Sequence, residues 1–323
     1  MSPSPMTETT IVNPGVDLTV SVAGMELSNP VLTASGCAAA GRELGQFFDV
    51  RELGAVVTKS IFLHARSGRA TPRMAETPSG MLNSIGLQGP GVESFVANDV
   101  AWLISAGARP VVSIAGGTVS DYVEVARVLR DVEGIAGFEV NISCPNVENR
   151  GMVFACDPAA SASVISAVRR ELPAGIPMLA KLTPDVTDIV SVAAACVDAG
   201  ADGLSLINTL LGMVIDTSTL RPALAGITGG LSGPAMRPVA LRCVYQVHAA
   251  MPEVPIVGIG GIRTGDDALQ FLAAGASAVQ VGTSTFGDPH APVRVRDELA
   301  AELAARGFSS VREVVGLAHR PAA

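Results

Sequence analysis

The chain has 323 residues, 48% of them hydrophobic, 16% charged and 4% aromatic, which suits a large buried core and excludes a disordered chain. A net charge of −8 with no run of Lys or Arg excludes a nucleic-acid binder, because phosphate recognition needs a basic footprint. Mean hydropathy is +0.42, yet the longest apolar candidate, from Pro177 to Ile215, is cut by Lys181, Asp185, Asp188, Asp198 and Asp202, so no membrane span of about 20 apolar residues is expected.

Taken from the N-terminus, residues 1–16 have neither a basic start nor an apolar core and are expected to form a flexible leader rather than a secretory signal. Residues 17–29 read as a hairpin turning at Ala23-Gly24, placed to close the bottom of whatever follows. Short β-branched runs bounded by Gly or Pro then recur at 30–35, 54–60, 110–116, 137–143, 177–183, 203–209, 255–261 and 277–283. Helical spacing lies between them, as in Asp121 to Asp131 and in Asp267 to Ala274, the latter stopped by Gly275. Eight apolar strands alternating with helices predict an α/β fold, a closed (β/α)8 TIM barrel occupying 17–323 as a single domain. The stretches 61–90, 145–157 and 210–233 are expected as long loops on its C-terminal face. An open doubly wound sheet is the rival, disfavoured because no G-x-G-x-x-G follows the first strand.

Catalytic groups of barrels come from the C-terminal strand ends. Here those ends carry Ser35, Lys59 with Ser60, Ser113, Asn141 with Cys144 just beyond, Lys181, Asn208 with Thr209, Gly260 with Gly261, and Gly282 with Thr283. Lys59 and Lys181 are the only lysines among 22 basic residues. A lysine inside an apolar strand is costly unless paired or employed, so both are read as functional rather than as snorkelling surface groups. GIGGI and VGT, ending the seventh and eighth strands, fit a phosphate held on backbone N–H groups, with plain tight turns as the alternative.

The five cysteines are scattered, with no C-x-x-C pair, which fits a reducing cytoplasm and provides no four-thiolate metal site. Cys144, before Pro145 in NISCPN, is presented on a loop, and no histidine ends a strand, so a cysteine base becomes plausible. Cys156 in the same loop is a weaker candidate, and Cys37, Cys196 and Cys243 are assigned to the apolar interior.

At these residues the chain resembles the class 1 dihydroorotate dehydrogenases, most closely the catalytic subunit of class 1B. ASG (34–36), TKS (58–60), ETPSGMLNSIGLQGPGVE (76–93), NISCPNVENRG (141–151), KLTPDVTDI (181–189), LINTLLGMVIDT (206–217), TGGLSGPA (228–235), GIGGI (258–262) and AVQVGT (278–283) carry the resemblance in order along nearly the whole chain. It implies FMN in the barrel mouth and oxidation of (S)-dihydroorotate to orotate in the synthesis of UMP, with no metal. It makes Cys144 the base, and assigns Ser35, Lys59, Ser60, Ser113, Asn141, Lys181, Ile207, Gly233, Gly260, Gly261, Gly282 and Thr283 to the flavin. Substrate falls to Lys59, Asn83, Ser84, Ile85, Gly86, Leu87, Asn141, Asn208 and Thr209; side-chain amides match a ring edge that alternates N–H donors and C=O acceptors. Ser113 departs from the asparagine usual on the third strand, and Glu148, Arg150 and Cys156 depart from the usual lid. Class 1A enzymes are homodimers that use fumarate, whereas class 1B adds to a homodimeric core a subunit with FAD and an iron–sulfur cluster, giving a heterotetramer that reduces NAD. Three alternatives stay open: a Schiff-base lyase or aldolase using Lys181, another FMN-dependent pyrimidine oxidoreductase, and a non-catalytic binding protein.

Overall fold

A computed structural model describes residues 15–143 and 153–321. The parallel strands β1 (Val31–Thr33), β2 (Val56–Val57), β3 (Pro110–Ile114), β4 (Gly137–Asn141), β5 (Met178–Leu182), β6 (Gly203–Leu206), β7 (Ile256–Ile259) and β8 (Ala278–Val281) form one sheet in the order β1-β8-β7-β6-β5-β4-β3-β2. A bridge between Leu32 and Ala55 closes it into the barrel, reinforced where Thr33 Oγ1 accepts from Val57 N and donates to Val57 O. Each strand lies inside one of the eight runs predicted above, and nearly all its side chains are buried because helices cover the outer face.

The helices begin where a polar side chain satisfies the free N–H groups of the first turn. Thr118 caps Val119–Leu129 and Thr264 caps Gly265–Ala273, each in a reciprocal box with an aspartate, so both helices start two residues ahead of the predicted ones. Asp157 and Asp188 cap Pro158–Glu171 and Ile189–Asp198. Gly275, with φ 112°, ends the helix before it as expected. The link from β1 to β2 carries only two short 3-10 turns, Leu44–Gln46 and Val50–Glu52, where an eighth helix would stand. Among the described residues no helix is long and apolar enough to cross a membrane.

Two features frame the site. The hairpin Val20–Val22 with Met25–Leu27 turns at Ala23 and Gly24, both at positive φ, and its inward side chains join the core. The stretches expected as loops after β2 and β6 instead pair with each other. Met74–Thr77, Gly80–Asn83, Gly229–Ser232 and Leu210–Gly212 form a four-stranded antiparallel sheet standing on the C-terminal face. The loop after β4 falls mostly outside the described residues, as do residues 1–14 of the expected leader.

Candidate active site

At the C-terminal end of the barrel a cavity of about 580 Å³ opens, a size typical of small-molecule sites. Ser35, Lys181, Ile207, Asn208, Thr209, Gly233, Gly260, Gly261, Gly282 and Thr283 line it, so ten of the residues singled out from sequence meet there. Glu76, Thr77, Gly80, Met81 and Ser232 of the antiparallel sheet form part of its wall.

Gly260 and Gly261 are required by backbone angle as well as by space, and Gly282 by space alone. A Cβ on Gly261, at φ +75°, would stand 2.7 Å from Gly233 O, and one on Gly260, at φ +136°, 2.7 Å from Ala240 Cβ. Gly282 has Ala34 Cβ and Cys37 Sγ at 3.0 and 3.2 Å from its own missing Cβ. A side chain at any of these would push against its neighbours and disturb the turns between β7, β8 and Gly233, where glycine lets backbone approach an anion closely.

A second group forms a hydrogen-bonded chain across strand ends. Ser60 Oγ lies 3.3 Å from Ser35 Oγ and 2.9 Å from Ser113 Oγ, and it accepts from Asn141 Nδ2 at 3.0 Å. Asn208 Nδ2 donates to Asn141 Oδ1 at 3.2 Å, and Tyr122 OH donates to the Asn141 carbonyl at 2.7 Å. Ser113 is fully buried and shares a hydrogen bond with Ser60, which in turn meets Ser35 on the cavity wall, so the departure on the third strand lies two steps behind that wall. Lys59 is half-buried, its ammonium 3.5 Å from where a Cβ on Gly36 would be.

Of the residues expected to hold substrate, Lys59 and Asn141 stand at the ends of β2 and β4, Asn208 and Thr209 follow β6 and line the cavity, and Asn83 to Leu87 end a strand of the antiparallel sheet and continue into the turn after it, outside the cavity lining. Asn83 pairs with Gly230, and its Nδ2 donates to Gly230 O at 3.4 Å. A Cβ on Gly230 would collide with Thr209 Oγ1 at 2.1 Å, so glycine there lets the sheet lie directly on Thr209 and brings it near Asn83. The chain then turns through Gly86 and Leu87, both in the left-handed region; Ser84 N donates to Arg73 O, and Arg69 N donates to Ile85 O. Arg69 Nη1 also donates to Ser84 Oγ at 3.1 Å.

Sequence reasoning missed three residues. Fully buried Glu139 accepts from Lys181 Nζ at 3.2 Å and from Gln280 Nε2 at 2.8 Å. The signal was an acid and an amide inside otherwise apolar strands, GFEVN and AVQV. Cys37, assigned to the apolar interior, lines the cavity instead, because the turn after β1 carries it over Gly282. Burial pushes its thiol up to about 11, against the pull of Lys181 and Lys59.

Cys144 lies outside the described residues. Cys156 is exposed and sits in a separate surface depression, donating to Asp185 O at 3.7 Å; burial, then the Asp185 charge, raises its thiol above the usual range. None of the four histidines lines the cavity.

Comparison with known proteins identifies the family. The sequence profile of the family described as dihydroorotate dehydrogenase matches residues 17–303. The chain is 50% identical over 300 residues to the dihydroorotate dehydrogenase B (NAD(+)) catalytic subunit of Pelobacter propionicus, covering 93% of this chain and 98% of that one. It is likewise 50% identical to the protein of that name from Geotalea daltonii (93% and 97%), and 48% identical over 301 residues to that from Alkaliphilus metalliredigens (93% and 98%). With the match running from the hairpin through the eighth strand, the chain belongs to the dihydroorotate dehydrogenase family.

Proposed function

We propose that the chain is the catalytic subunit of a B-type dihydroorotate dehydrogenase, oxidising (S)-dihydroorotate to orotate on an FMN held in the barrel mouth. The observation that carries this is one cavity joining a strand-borne ammonium, a glycine cradle and two polar residues of β6's end, Asn208 and Thr209. The residues fit a flavin mononucleotide. Gly233, Gly260, Gly261, Gly282 and Thr283 would take its phosphate, and Lys181 would neutralise negative charge gathered on the ring. Gln280 Oε1, buried and without a hydrogen-bond partner among the described residues, offers an acceptor beside Lys181 in the cavity lining. When bound, FMN supplies the two-electron acceptor.

The protein's own part is to orient and deprotonate. Asn83, Asn141, Asn208 and Thr209, with the backbone of Ser84 to Leu87, would hold the pyrimidine ring and carboxylate, and Lys59 would add a cation near both ligands. Ser35, Ser60, Ser113 and Ile207 would support the flavin edge. Cys144 would take the C5 proton; its role rests on the NISCPN motif, whose Asn141 is fixed at the end of β4. The Lys181–Glu139 ion pair disfavours a Schiff-base lyase, since a paired ammonium is not a nucleophile.

Electrons would leave through a companion subunit, as the relatives' names imply. The chain has no dinucleotide fingerprint after β1, so that subunit would carry FAD and an iron–sulfur cluster. Residues 17–323 would act as one flavin-binding unit in the cytoplasm. Exposed Leu211, Met213, Leu220 and Ile227 on the antiparallel sheet and its loops support a homodimeric core. The test is spectroscopic: purified protein should show visible flavin absorption that dihydroorotate bleaches without air. Cys144→Ala should retain the colour and lose turnover by about 100-fold or more. Near wild-type turnover would overturn the base assignment, and colourless protein the flavin.

A further inference from the structure

The floor of the cavity contains a carboxylate that flavin binding alone does not call for. Glu139 sits within β4, fully buried, and divides its oxygens between Lys181 on β5 and Gln280 on β8. Lys181 and Gln280 line the cavity, and Glu139 lies behind them. The orientation of Gln280 follows from the partner: an ionised carboxylate has nothing to donate, so the amide nitrogen faces it and the oxygen turns away. Gln280 Oε1, and Ser205 Oγ at the position of β6 that pairs with Lys181, are buried without a hydrogen-bond partner among the described residues. Barrel interiors are usually filled with Val, Ile and Leu, and replacing a buried ion pair by such residues is often neutral or stabilising. Stability therefore does not account for a charged floor.

We propose that Glu139 is a positioning residue that keeps Lys181 protonated in both oxidation states of the flavin, with Gln280 fixing the carboxylate. The inference rests on the flavin reading of the cavity. Its consequence is a proton count: with the ammonium already charged, reduction of the flavin by two electrons draws in one proton. Without the carboxylate, burial favours neutral lysine while the flavin is oxidised. Lys181 then takes up a second proton when reduction places negative charge beside it.

The other charged groups near Lys181 do not substitute for Glu139. Lys59, at the end of β2, is a like charge and favours loss of the proton. Cys37, after β1, feels both lysines, yet burial keeps its thiol neutral at working pH. Glu76 and Asp288 line the cavity, but Asp288 is paired with Arg294 and Glu76 is exposed on the antiparallel sheet. Arg263 and Arg294 add positive charge to the same lining.

The experiment is a redox titration of the purified flavoprotein at several pH values on the alkaline side of neutrality. Wild type should show the slope of one proton per two electrons, Glu139→Gln twice that slope, and Glu139→Asp, which keeps the charge, the wild-type slope. A merely structural carboxylate would lower stability without changing the slope. An unchanged slope in flavin-loaded Glu139→Gln overturns the inference alone, whereas wild-type protein without flavin overturns the flavin reading as well. Should Glu139→Gln fail to fold, the unaltered protein decides. With two lysines in the chain, ¹⁵N-lysine labelling gives two side-chain signals. An ammonium shift for Lys181 in both oxidised and reduced protein supports the proposal, and a neutral amine in the oxidised protein overturns it.

Discussion

At the floor of the cavity, Glu139, Lys181 and Gln280 belong to three strands of the closed barrel and are almost wholly buried, whereas Thr77, Gly80 and Ser232, in the wall supplied by the antiparallel sheet, are only half-buried. Floor residues are held by neighbours on both sides, so their positions are part of the barrel's own stability. Wall residues hang on the pairing of two long excursions, held by few buried side chains such as Leu82. The contrast predicts a division of labour: a cofactor seat that does not move, beneath a substrate seat that can adjust.

The largest expected effect lies in the floor. Lys181→Ala strands the Glu139 carboxylate in the interior and should cost about 3–5 kcal/mol in denaturant unfolding, with loss of flavin. Converting Lys181 and Glu139 together to methionine should restore most of that stability and none of the flavin chemistry; failure to restore it would place the cost elsewhere. Next comes the cradle, where Gly261→Ala forces a Cβ onto Gly233 O and should cost about 1–3 kcal/mol and weaken flavin retention. A substitution in the antiparallel sheet that supplies the wall should behave differently. Asn83→Ala is expected to raise KM about tenfold, near 1.4 kcal/mol of binding, with little change in melting temperature. A melting shift as large as that of Lys181→Ala would erase the distinction between floor and wall.

The smallest effect is a titration. Because burial raises the Cys37 thiol from 9.0 to about 11, its alkylation in flavin-free protein should climb with pH up to about 11. The unfolded chain releases this proton first, so the site's contribution to stability is intact below about pH 9 and falls between 9 and 11. Rapid alkylation at neutral pH would show a thiol less enclosed than the structure has it.

The barrel was legible because its strands are short, β-branched and punctuated by Pro or Gly, and each run, from PVLTAS to SAVQVGT, contains one observed strand. The antiparallel sheet was not. Its strands, MAET, GMLN, LLG and GGLS, are brief, three of them contain glycine, and the two local pairs they make become one sheet only where GMLN meets GGLS, as Asn83 does with Gly230, 147 positions away. In the site, Lys181 announced itself as a cation in an apolar strand, yet the same reasoning applied to Glu139 would have found its partner one strand away. Cys37 illustrates the opposite failure: composition favours an interior thiol, and only the path of the turn after β1 brings it to the cavity.

The hairpin at the other end gives the floor its last property. Gly137, the first residue of β4, has Met25 Sδ 2.7 Å from where its own Cβ would be, and Gly203, the first of β6, has Ala23 Cβ in ordinary contact at 3.5 Å from its missing Cβ. The barrel is thus a vessel stoppered by the hairpin at one end, with the described cavity at the other. Solvent isotope is therefore expected to reach Glu139 and Lys181 more slowly once a ligand occupies the mouth, which would make the bound ligand the valve on proton exchange at the floor.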